Sequence, residues 1–377
     1  MPKPLKPLLS LIAALALTGA LAACGSSDSS DPNAQKIAVT ITDDGCSPTD
    51  LKAEAGPTTF MVSNDDSAIN TEFEVLDGAL IIGEKENLTA GLTGEVSANL
   101  DPGTYDIVCG HPGDRTPTGK LVVTGKAREA TENPLLKTAA LSYKKYVIEQ
   151  TNLLTAKAEE FAAAVKAGDV EKAKSLYETS RIPYEKIEPV AESFGGLDPA
   201  IDARENDVSQ GDPWTGYHPL EKALWVTGLT AADDRLADQL VVNIKKLQKL
   251  AKNTDYDPVQ LANGSVELLN EVSQSKITGE EERYSHVDLT TFKANVQGAQ
   301  DAFELLKPAL TQTDPELARQ TEEDFTKMYA ELDPYKVSGD VYENYSTITP
   351  AERQKLSQAV DTLANSLAQI GGKVVAQ

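Results

Sequence analysis

The chain has 377 residues, of which 58 are acidic and 35 are basic, so its formal net charge is −23. Such an excess of negative charge argues against nucleic acid or anionic lipid as a partner and favours cations, with high solubility as the plain alternative. The length suits about two domains.

The N-terminal segment predicts export from the cytoplasm. Two lysines precede an apolar run, Leu8–Ala23, that is too short to span a membrane comfortably. The run ends in Leu-Ala-Ala-Cys24-Gly, which looks like a bacterial lipobox with Cys24 as the lipidated residue; a plain signal peptide cleaved after the run is the alternative. We therefore predict a signal peptide over residues 1–23, a flexible tether over 24–35, and an extracytoplasmic protein that is lipid-anchored to the cell membrane, at the cell surface or in the periplasm. Loss of two lysines with the signal peptide lowers the net charge of −23 by two, to −25.

Residues 36–125 have the pattern of a small β-sandwich. Short runs of alternating apolar and polar residues are separated by Asp-Gly, Gly-Pro and Pro-Gly turn signals. The predicted strands lie near residues 37–41, 59–62, 73–75, 105–107 and 120–123.

This predicted β domain contains two cysteines, Cys46 and Cys109. Outside the cytoplasm two cysteines most often form a disulfide. The alternative is an atypical metal site that adds Glu72 or His111. A blue-copper centre needs two histidines, a cysteine and usually a methionine, and His111 is the one histidine of this region, so conventional electron transfer is not expected. The disulfide and the metal site both remain open.

A helical pattern follows a predicted linker at residues 126–134 and covers residues 135–377. Gly168-Asp169 predicts the end of one helix and the cap of the next. Asp-Pro pairs and a capping box predict three later helix starts. These starts are Asp257-Pro258, Asp314-Pro315 and Thr349-Pro350.

Two pairs of possible metal donors lie in the helical part. A helix that begins at Pro219 would place His218 and Glu221 on the same side of its first turn. A helix that begins at Pro183 would place Glu185 and Glu188 one turn apart. Such pairs are common by chance, and solvated surface pairs are the alternative in both cases.

An acidic turn near residues 279–289 contains His286 and Asp288. Its alternative is a structural one, with Asp288 as the N-cap of the following helix. Together the candidates offer mostly carboxylate oxygens and one imidazole, which suit ferric or ferrous iron, manganese or calcium better than copper(I), with zinc less favoured. Helical bundles commonly build metal sites from such side chains on facing helices.

Several motifs in order carry a resemblance to a known family. The chain resembles the EfeO-type iron-uptake lipoproteins, and its helical part is similar to the imelysin (peptidase M75) family. Gly216-x-His218-x-x-Glu221 matches the GxHxxE motif of that family. Residues 184–189 and 282–288 resemble two further signatures, and segments around Cys46, Glu72 and Cys109 resemble the cupredoxin-like domain.

The resemblance implies a fold, a function and a set of ligands. The fold would be an N-terminal all-β cupredoxin-like sandwich followed by an all-α imelysin-like helical bundle. The protein would bind iron and present it to an EfeU-like permease, beside an EfeB-like haem peroxidase. The family also implies copper or ferric iron at Cys46, Cys109 and Glu72. In the helical domain the implied metal ligands are His218, Glu221, Glu185 and Glu188, with Asp202 and Asp288 as further candidates.

Two other functions deserve comparison. The peptidase M75 name suggests a metallopeptidase, but the zinc-binding HExxH pattern is absent from the sequence, so an enzyme is not expected and only a ferroxidase-like activity of the β domain stays open. Metal-dependent polysaccharide binding is the second alternative. It would require a long cleft lined by Trp214, Tyr217 and Trp225.

Overall fold

The structure is a computed structural model. It describes residues 34–77, 80–86, 88–111, 116–126, 133–208 and 211–375. The predicted signal peptide, Cys24 and the tether as far as residue 33 lie outside the described residues, as do residues 127–132 of the predicted linker.

The first part of the chain forms the predicted β-sandwich. One sheet has the strand order β2-β1-β4-β7 and the other has the order β3-β9-β8-β5-β6. Strand β1 pairs with β4, and β3 with β9, in parallel, whereas the other pairs within these sheets are antiparallel. The strands are β1 Gln35–Thr42, β2 Gly45–Ser47, β3 Asp50–Glu54, β4 Gly56–Asn64, β5 Glu72–Asp77, β6 Leu80–Lys85, β7 Thr93–Leu100, β8 Gly103–Gly110 and β9 Gly119–Thr124.

Alternating side chains of both sheets fill the space between them. In β1, Val39 and Ile41 are buried and their neighbours Thr40 and Thr42 are not, as a strand with one face on the core requires. Phe60 of β4 meets Phe73 of β5 across the core, with ring centroids 5.4 Å apart. Every run that predicted a strand lies in one of these strands.

A disulfide joins Cys46 of β2 to Cys109 of β8 and so links the two sheets. Thr118 supports both ends, because its Oγ1 accepts hydrogen bonds from the backbone N–H groups of Cys46 and Cys109 at 3.3 and 2.9 Å. Of the two alternatives from the sequence, the structure contains the disulfide. The expected metal ligation by Cys46 and Cys109 is corrected accordingly, since paired sulfurs offer no thiolate.

Replacing both cysteines by alanine is expected to destabilise the sandwich by about 2–4 kcal/mol, because the unfolded chain then loses a crosslink between residues 63 positions apart. Urea unfolding of the double variant beside the wild type checks this value. The reduced wild type is the control and should match the variant. Unchanged stability in both would contradict a structural role for the disulfide.

The second part of the chain is helical, with one small hairpin. Helix α1 packs along α2, α6 and α8 and forms the spine of this domain. The elements are α1 Pro134–Lys166, α2 Val170–Glu185, α3 Glu188–Ala191, α4 Leu197–Asp202, α5 Tyr217–Lys222, α6 Ala231–Asn253, α7 Pro258–Gln274, α8 Asp288–Thr313, α9 Pro315–Leu332, β10 Lys336–Ser338, β11 Val341–Tyr342, α10 Pro350–Leu367 and α11 Ile370–Val375.

Helix boundaries agree with the sequence where a capping side chain sets them. Asp169, Asp257 and Asp314 each accept a hydrogen bond from a backbone N–H in the first turn of α2, α7 and α9. Thr349 forms the predicted capping box with Glu352. None of the helices in the described part of the chain is long and apolar enough to cross a membrane.

Two predicted helix starts were wrong. Pro183 lies inside the last turn of α2, so Glu185 ends that helix and Glu188 begins α3 instead of following it on one helix. Helix α5 begins at Tyr217, two residues before Pro219, although it still carries both His218 and Glu221.

The two domains contact each other through helix α7. Lys85 of β6 forms an ion pair with Glu267, with Nζ and Oε2 2.8 Å apart. The side-chain amides of Asn263 and Gln260 donate hydrogen bonds to the backbone oxygens of Ser97 and Ile81. These contacts hold the edge of the sandwich against the helical domain and leave a cleft beside them.

Candidate metal site

Helix α5 carries the histidine of the GxHxxE motif into the interior. His218 is 2% exposed and Glu221 is fully buried, so the pair is not a solvated surface pair. Gly216 precedes the helix with φ of 99°, a conformation that a residue with a Cβ rarely adopts. A Cβ at this position would lie 2.1 Å from the backbone oxygen of Ile201, in α4. The glycine therefore allows α5 to approach the end of α4, where Asp202 lies.

Replacing Gly216 by alanine is expected to cost about 3 kcal/mol or more, since the new Cβ meets both a strained φ and a backbone oxygen. Gly168→Ala is the matched control, because Gly168 has φ of 68° but nothing within 4 Å of the new Cβ. That variant should cost only about 1–2 kcal/mol. Urea unfolding of the two variants decides the point, and equal losses would contradict the close approach.

Both imidazole nitrogens of His218 face carboxylates. Nδ1 lies 3.3 Å from Glu221 Oε2. Nε2 lies 3.5 Å from Asp202 Oδ1 and 3.7 Å from Glu281 Oε1, and no described residue forms a hydrogen bond with it. Burial and the nearby Arg181 guanidinium oppose a charged imidazole, but the hydrogen bond with Glu221 and the nearby carboxylates of Glu281 and Asp202 outweigh them and raise the pKa of His218 to about 10.

Glu221 is the most firmly held carboxylate near this histidine. Its Oε1 accepts hydrogen bonds from the backbone N–H groups of Tyr284 and Ser285, at 3.0 and 2.7 Å, and from the Ser285 hydroxyl at 2.7 Å. Burial alone would raise the pKa of Glu221, but His218 and Ser285 donate to the charged form and hold it below its usual value. The turn at residues 283–285 and helix α5 are therefore joined through this side chain.

Arg181 lies in the middle of the carboxylates and is fully buried. Its Nη2 is 2.6 Å from Glu185 Oε1 and 3.2 Å from Glu281 Oε1. Its Nε is 2.7 Å from Glu282 Oε1, and its Nη1 pairs with Asp202. A buried guanidinium between four carboxylates keeps them close together when no other cation is present.

Glu185 and Glu188 lie beside this cluster and have partners of their own. Lys276 Nζ is 2.5 Å from Glu188 Oε1 and 3.9 Å from Glu185 Oε2. The side-chain amide of Asn295 donates to both carboxylates. Burial raises the pKa of Glu185 and of Glu188. The structure therefore places the predicted second pair in a neighbouring ion-pair network.

Two groups of three donors among the described residues are close enough to bind one metal ion. In each group the ligand atoms lie within 4.8 Å of one another. One group is Asp202, His218 and Glu281, and the other is His218, Glu221 and Glu282. Of the residues predicted for the helical domain, His218, Glu221 and Asp202 fall in these groups, whereas Glu185, Glu188 and Asp288 do not.

Asp288 has a structural contact instead of a place in either group. It is the first residue of α8 and not its N-cap, which is Val287. Its Oδ1 accepts a hydrogen bond from the Glu282 backbone N–H at 3.1 Å, so it shapes the turn that carries Glu281 and Glu282. Burial raises the pKa of Asp288 to about 7. His286 lies in the same turn with φ of 58°.

An acidic cleft of about 480 Å³ between the two domains is lined by Asp202 and Glu281, the two carboxylates that face His218 Nε2. Asp202 and Glu281 line the cleft from the helical domain, together with Glu188, Glu271 and Arg204. The sandwich forms the facing wall with Glu72, Glu74, Glu86 and His111. Burial raises the pKa of Glu86, and so do the carboxylates of Glu72 beside it and of Glu271 on the facing wall.

The metal-free protein is expected to be less stable at pH 9 than at pH 5, by at least about 2 kcal/mol. The raised pKa of Asp288 gives stability that is lost as the pH rises from its unfolded value to about 7, and the raised pKa of His218 gives stability that is lost as the pH rises towards 10. The lowered pKa values of Glu221 and Glu281 change the folding stability only at acidic pH, below the range compared here. Urea unfolding across this range measures the slope. Asp288→Asn should flatten it, and stability that rises with pH would contradict the argument.

Sequence reasoning missed four of the residues that build this cluster. Glu281 and Glu282 look like an acidic surface turn, and Arg181 and Lys276 look like ordinary surface cations. The available signal was weak: Glu281 directly precedes the segment 282–288 that resembles a family signature, and Arg181 precedes the segment 184–189 that resembles another. Only the fold shows that these charges are buried together.

Two family models define the class of this protein. The model described as imelysin (peptidase M75) matches residues 139–370, and the model described as a cupredoxin-like domain matches residues 11–123. A solved structure from Parabacteroides distasonis, described as an iron-regulated protein A precursor, aligns with a TM-score of 0.50 at 14% identity, over 65% of this chain and 96% of that one. At this identity the likeness concerns the fold alone.

Curated relatives narrow the class further. The protein named iron uptake system component EfeO in Escherichia coli strain K12 is 41% identical over 344 residues, which cover 89% of this chain and 91% of that protein. The protein of the same name in Shigella flexneri aligns with the same identity and coverage. The chain therefore belongs to the EfeO family, and the expected sandwich and imelysin domains are confirmed.

Proposed function

We propose that this protein captures iron outside the cytoplasm and holds it at His218 for delivery to an uptake permease. One observation carries the proposal: among the described residues the buried His218 Nε2 has no hydrogen-bond partner, and it faces Asp202 and Glu281, which line an acidic cleft. An imidazole nitrogen beside two carboxylates is a set of donors for a cation, and the net charge of the chain draws cations towards it.

Iron is the metal that the ligands and the relatives favour together. Carboxylate oxygens with one imidazole suit ferric or ferrous iron. The relatives with 41% identity carry the name of an iron uptake component. Zinc could use the same donors and is tested below. Copper in the β domain is not part of this proposal. Cys46 and Cys109 form a disulfide, so neither sulfur is a thiolate that could bind copper together with Glu72 or His111.

The remaining parts of the proposal concern location and partners. The lipobox at Cys24 would tie the protein to the outer face of the cell membrane, where an EfeU-like permease can receive the iron and an EfeB-like haem peroxidase can act beside it. A tethered carrier needs to release its cargo. The site suits release, because Asp202 and Glu281 lie on the cleft and a bound ion there would keep contact with solvent.

A carrier fits this site better than a peptidase or a polymer-binding protein. The sequence lacks the two-histidine HExxH pattern of zinc peptidases. The aromatic side chains that a polysaccharide would need are used elsewhere: Tyr217 is fully buried, Trp225 packs on Tyr177, and the Trp214 indole N–H bonds to the Ala203 backbone oxygen. Neither alternative has an observation of its own among the described residues.

Titration calorimetry tests the proposal. The soluble chain from Gly25 to Gln377, which keeps every described residue, is titrated with ferrous ion without oxygen, with ferric ion delivered as a weak chelate, and with zinc and copper(II). We expect tight iron binding with a stoichiometry near one that disappears in His218→Ala. Tight zinc binding without iron binding, or iron binding that His218→Ala leaves unchanged, would contradict the proposed function.

A further inference from the structure

Three loops lie at the end of the sandwich that faces the cleft, and they connect β1 to β2, β4 to β5 and β6 to β7. We call the surface that they form the loop platform; it comprises residues 42–45, 64–71 and 88–92. Glu72, which follows the second loop directly, and Glu86, which precedes the third, line the cleft. A molecule that contacts the loop platform therefore lies beside the cleft.

Buried polar side chains fix the three loops against one another. The side-chain amide of Asn64 donates hydrogen bonds to the backbone oxygens of Asn70 and Leu88, at 3.0 and 2.7 Å, and so joins the second loop to the third. The side-chain amide of Asn70 donates to the backbone oxygen of Thr42 at 2.8 Å and joins the second loop to the first. Loops held in this way form a preorganised surface, which reduces the entropy lost when a partner binds.

Two large apolar side chains are exposed on this fixed surface. Ile69 of the second loop is 61% exposed, and Leu92 of the third loop is 51% exposed. The two loops run side by side, because the backbone N–H of Asn64 donates to the backbone oxygen of Leu92 at 3.0 Å. Ala68 and Ala90 are exposed next to them. Exposed apolar side chains that share one rigid surface are typical of a place where another protein binds.

The charge of the loop platform indicates the kind of partner. Its sequence contains four aspartates and no lysine, arginine or histidine. The four are exposed, and they are Asp43, Asp44, Asp65 and Asp66. These carboxylates repel an anionic lipid surface. A protein surface with lysine and arginine around an apolar pocket would match both the aspartates and the apolar side chains.

We propose that the loop platform is the surface on which the iron-receiving permease docks, with Ile69 and Leu92 in an apolar pocket that basic side chains surround. This inference rests on the proposed function and adds the place where the receiving protein binds. Because the platform adjoins Glu72 and Glu86 on the wall of the cleft, the docked permease would lie beside the cleft that holds the ion. The aspartates would steer the encounter, and the apolar side chains would keep the complex together.

Binding of the soluble chain to an EfeU-like permease in nanodiscs of neutral lipid tests this inference, with biolayer interferometry as the measurement. The double variant Ile69→Ser/Leu92→Ser should bind at least about tenfold more weakly, mainly through faster dissociation. The matched control is Leu141→Ser/Val337→Ser, because these side chains of the helical domain are 63% and 62% exposed. The control should bind the permease as the wild type does.

Removal of charge should change the association rate instead. Asp65→Asn/Asp66→Asn should slow association and weaken its dependence on salt, because charges at the rim of an interface steer the encounter. Glu149→Gln/Glu331→Gln removes two exposed charges from α1 and α9 and keeps the same net charge as that variant. It should associate almost as fast as the wild type. Equal slowing in both variants would show that net charge acts without the loop platform, against the inference.

Three further results would overturn the inference. The permease could bind the wild type and Ile69→Ser/Leu92→Ser equally well, or bind neither. Vesicles of neutral phosphatidylcholine could bind the wild type and not this variant, which would assign the two side chains to the membrane. Sedimentation could reveal a dimer of the wild type that the variant does not form, which would assign them to a second copy of the chain.

Iron titration of the same double variant separates this inference from the proposed function. Ile69 and Leu92 do not belong to the groups of donors around His218, so the variant should bind iron as the wild type does. Unchanged iron binding together with weaker permease binding supports the loop platform as a docking surface. Unchanged permease binding in the variant would overturn the inference alone, whereas a wild type that does not bind iron would contradict the proposed function itself.

Discussion

His218→Ala is expected to lower the affinity for iron by more than about 100-fold. Outer partners of metal ligands already contribute about 10- to 100-fold, so the loss of a ligand itself should exceed that range. The donors that remain, Asp202 and Glu281, keep their contacts with Arg181 and have no imidazole to complete the site. Calorimetry of wild type and variant under the same buffer measures the ratio.

Two other histidines give matched controls for this variant. His111 lies on the sandwich wall of the same cleft, and His286 lies in the turn that carries Glu281 and Glu282. Within the part of the chain that the structure describes, neither belongs to a group of donors close enough to share one ion. His111→Ala and His286→Ala should therefore keep the affinity within about threefold. If His111→Ala lost affinity as His218→Ala does, the metal would lie nearer to the sandwich than we propose.

His218→Ala should change the stability of the metal-free protein much less than it changes the affinity for iron. The metal-free variant loses a cation that faces Glu221, Asp202 and Glu281, and a cost of about 1–3 kcal/mol is usual for a buried polar contact. The variant should fold, since α5 keeps its packing through Tyr217 and Leu220, which are fully buried. If the variant is folded and no longer binds iron, the loss of binding is caused by the missing metal ligand and not by unfolding.

Local signals in the sequence predicted much of the fold. Side chains that cap a helix act through neighbouring backbone groups, so Asp257, Asp314 and Thr349 could be read without knowing the fold. The strand runs of the sandwich were equally local, because a strand with one buried face alternates along its own length. Pro183 failed as a signal because the buried packing of the last turn of α2 outweighs the one backbone hydrogen bond that a proline inside a helix removes.

The candidate site could be predicted only in part. His218 and Glu221 are three residues apart, and their spacing was enough to place them on one helical turn. Glu281 reaches the same site from a turn 63 residues further along the chain than His218, which no spacing rule captures. Buried cations were missed for the same reason: composition places Arg181 on the surface, and only the fold encloses it among carboxylates.

Arg181→Met is expected to destabilise the metal-free protein by about 3–5 kcal/mol or more. The substitution keeps most of the side-chain volume but leaves Glu185, Asp202, Glu281 and Glu282 without a shared cation in a buried place. Like charges that lose their counter-ion must separate or take up protons, and both changes favour the unfolded chain. Urea unfolding of the metal-free variant measures the loss, and Arg181→Lys provides a milder variant if the first does not fold.

Iron should recover part of this loss, and that recovery tests whether Arg181 and the metal share the same carboxylates. A cation bound by Asp202 and Glu281 restores positive charge to the cluster, so saturating iron should raise the stability of Arg181→Met more than that of the wild type. Arg204→Met is the control, because Arg204 also contacts Glu281 but is 23% exposed, so its loss should be smaller and its response to iron closer to that of the wild type. Equal stabilisation by iron in all three proteins would show that the metal binds away from Arg181, and the site would then have to be sought elsewhere in the cleft.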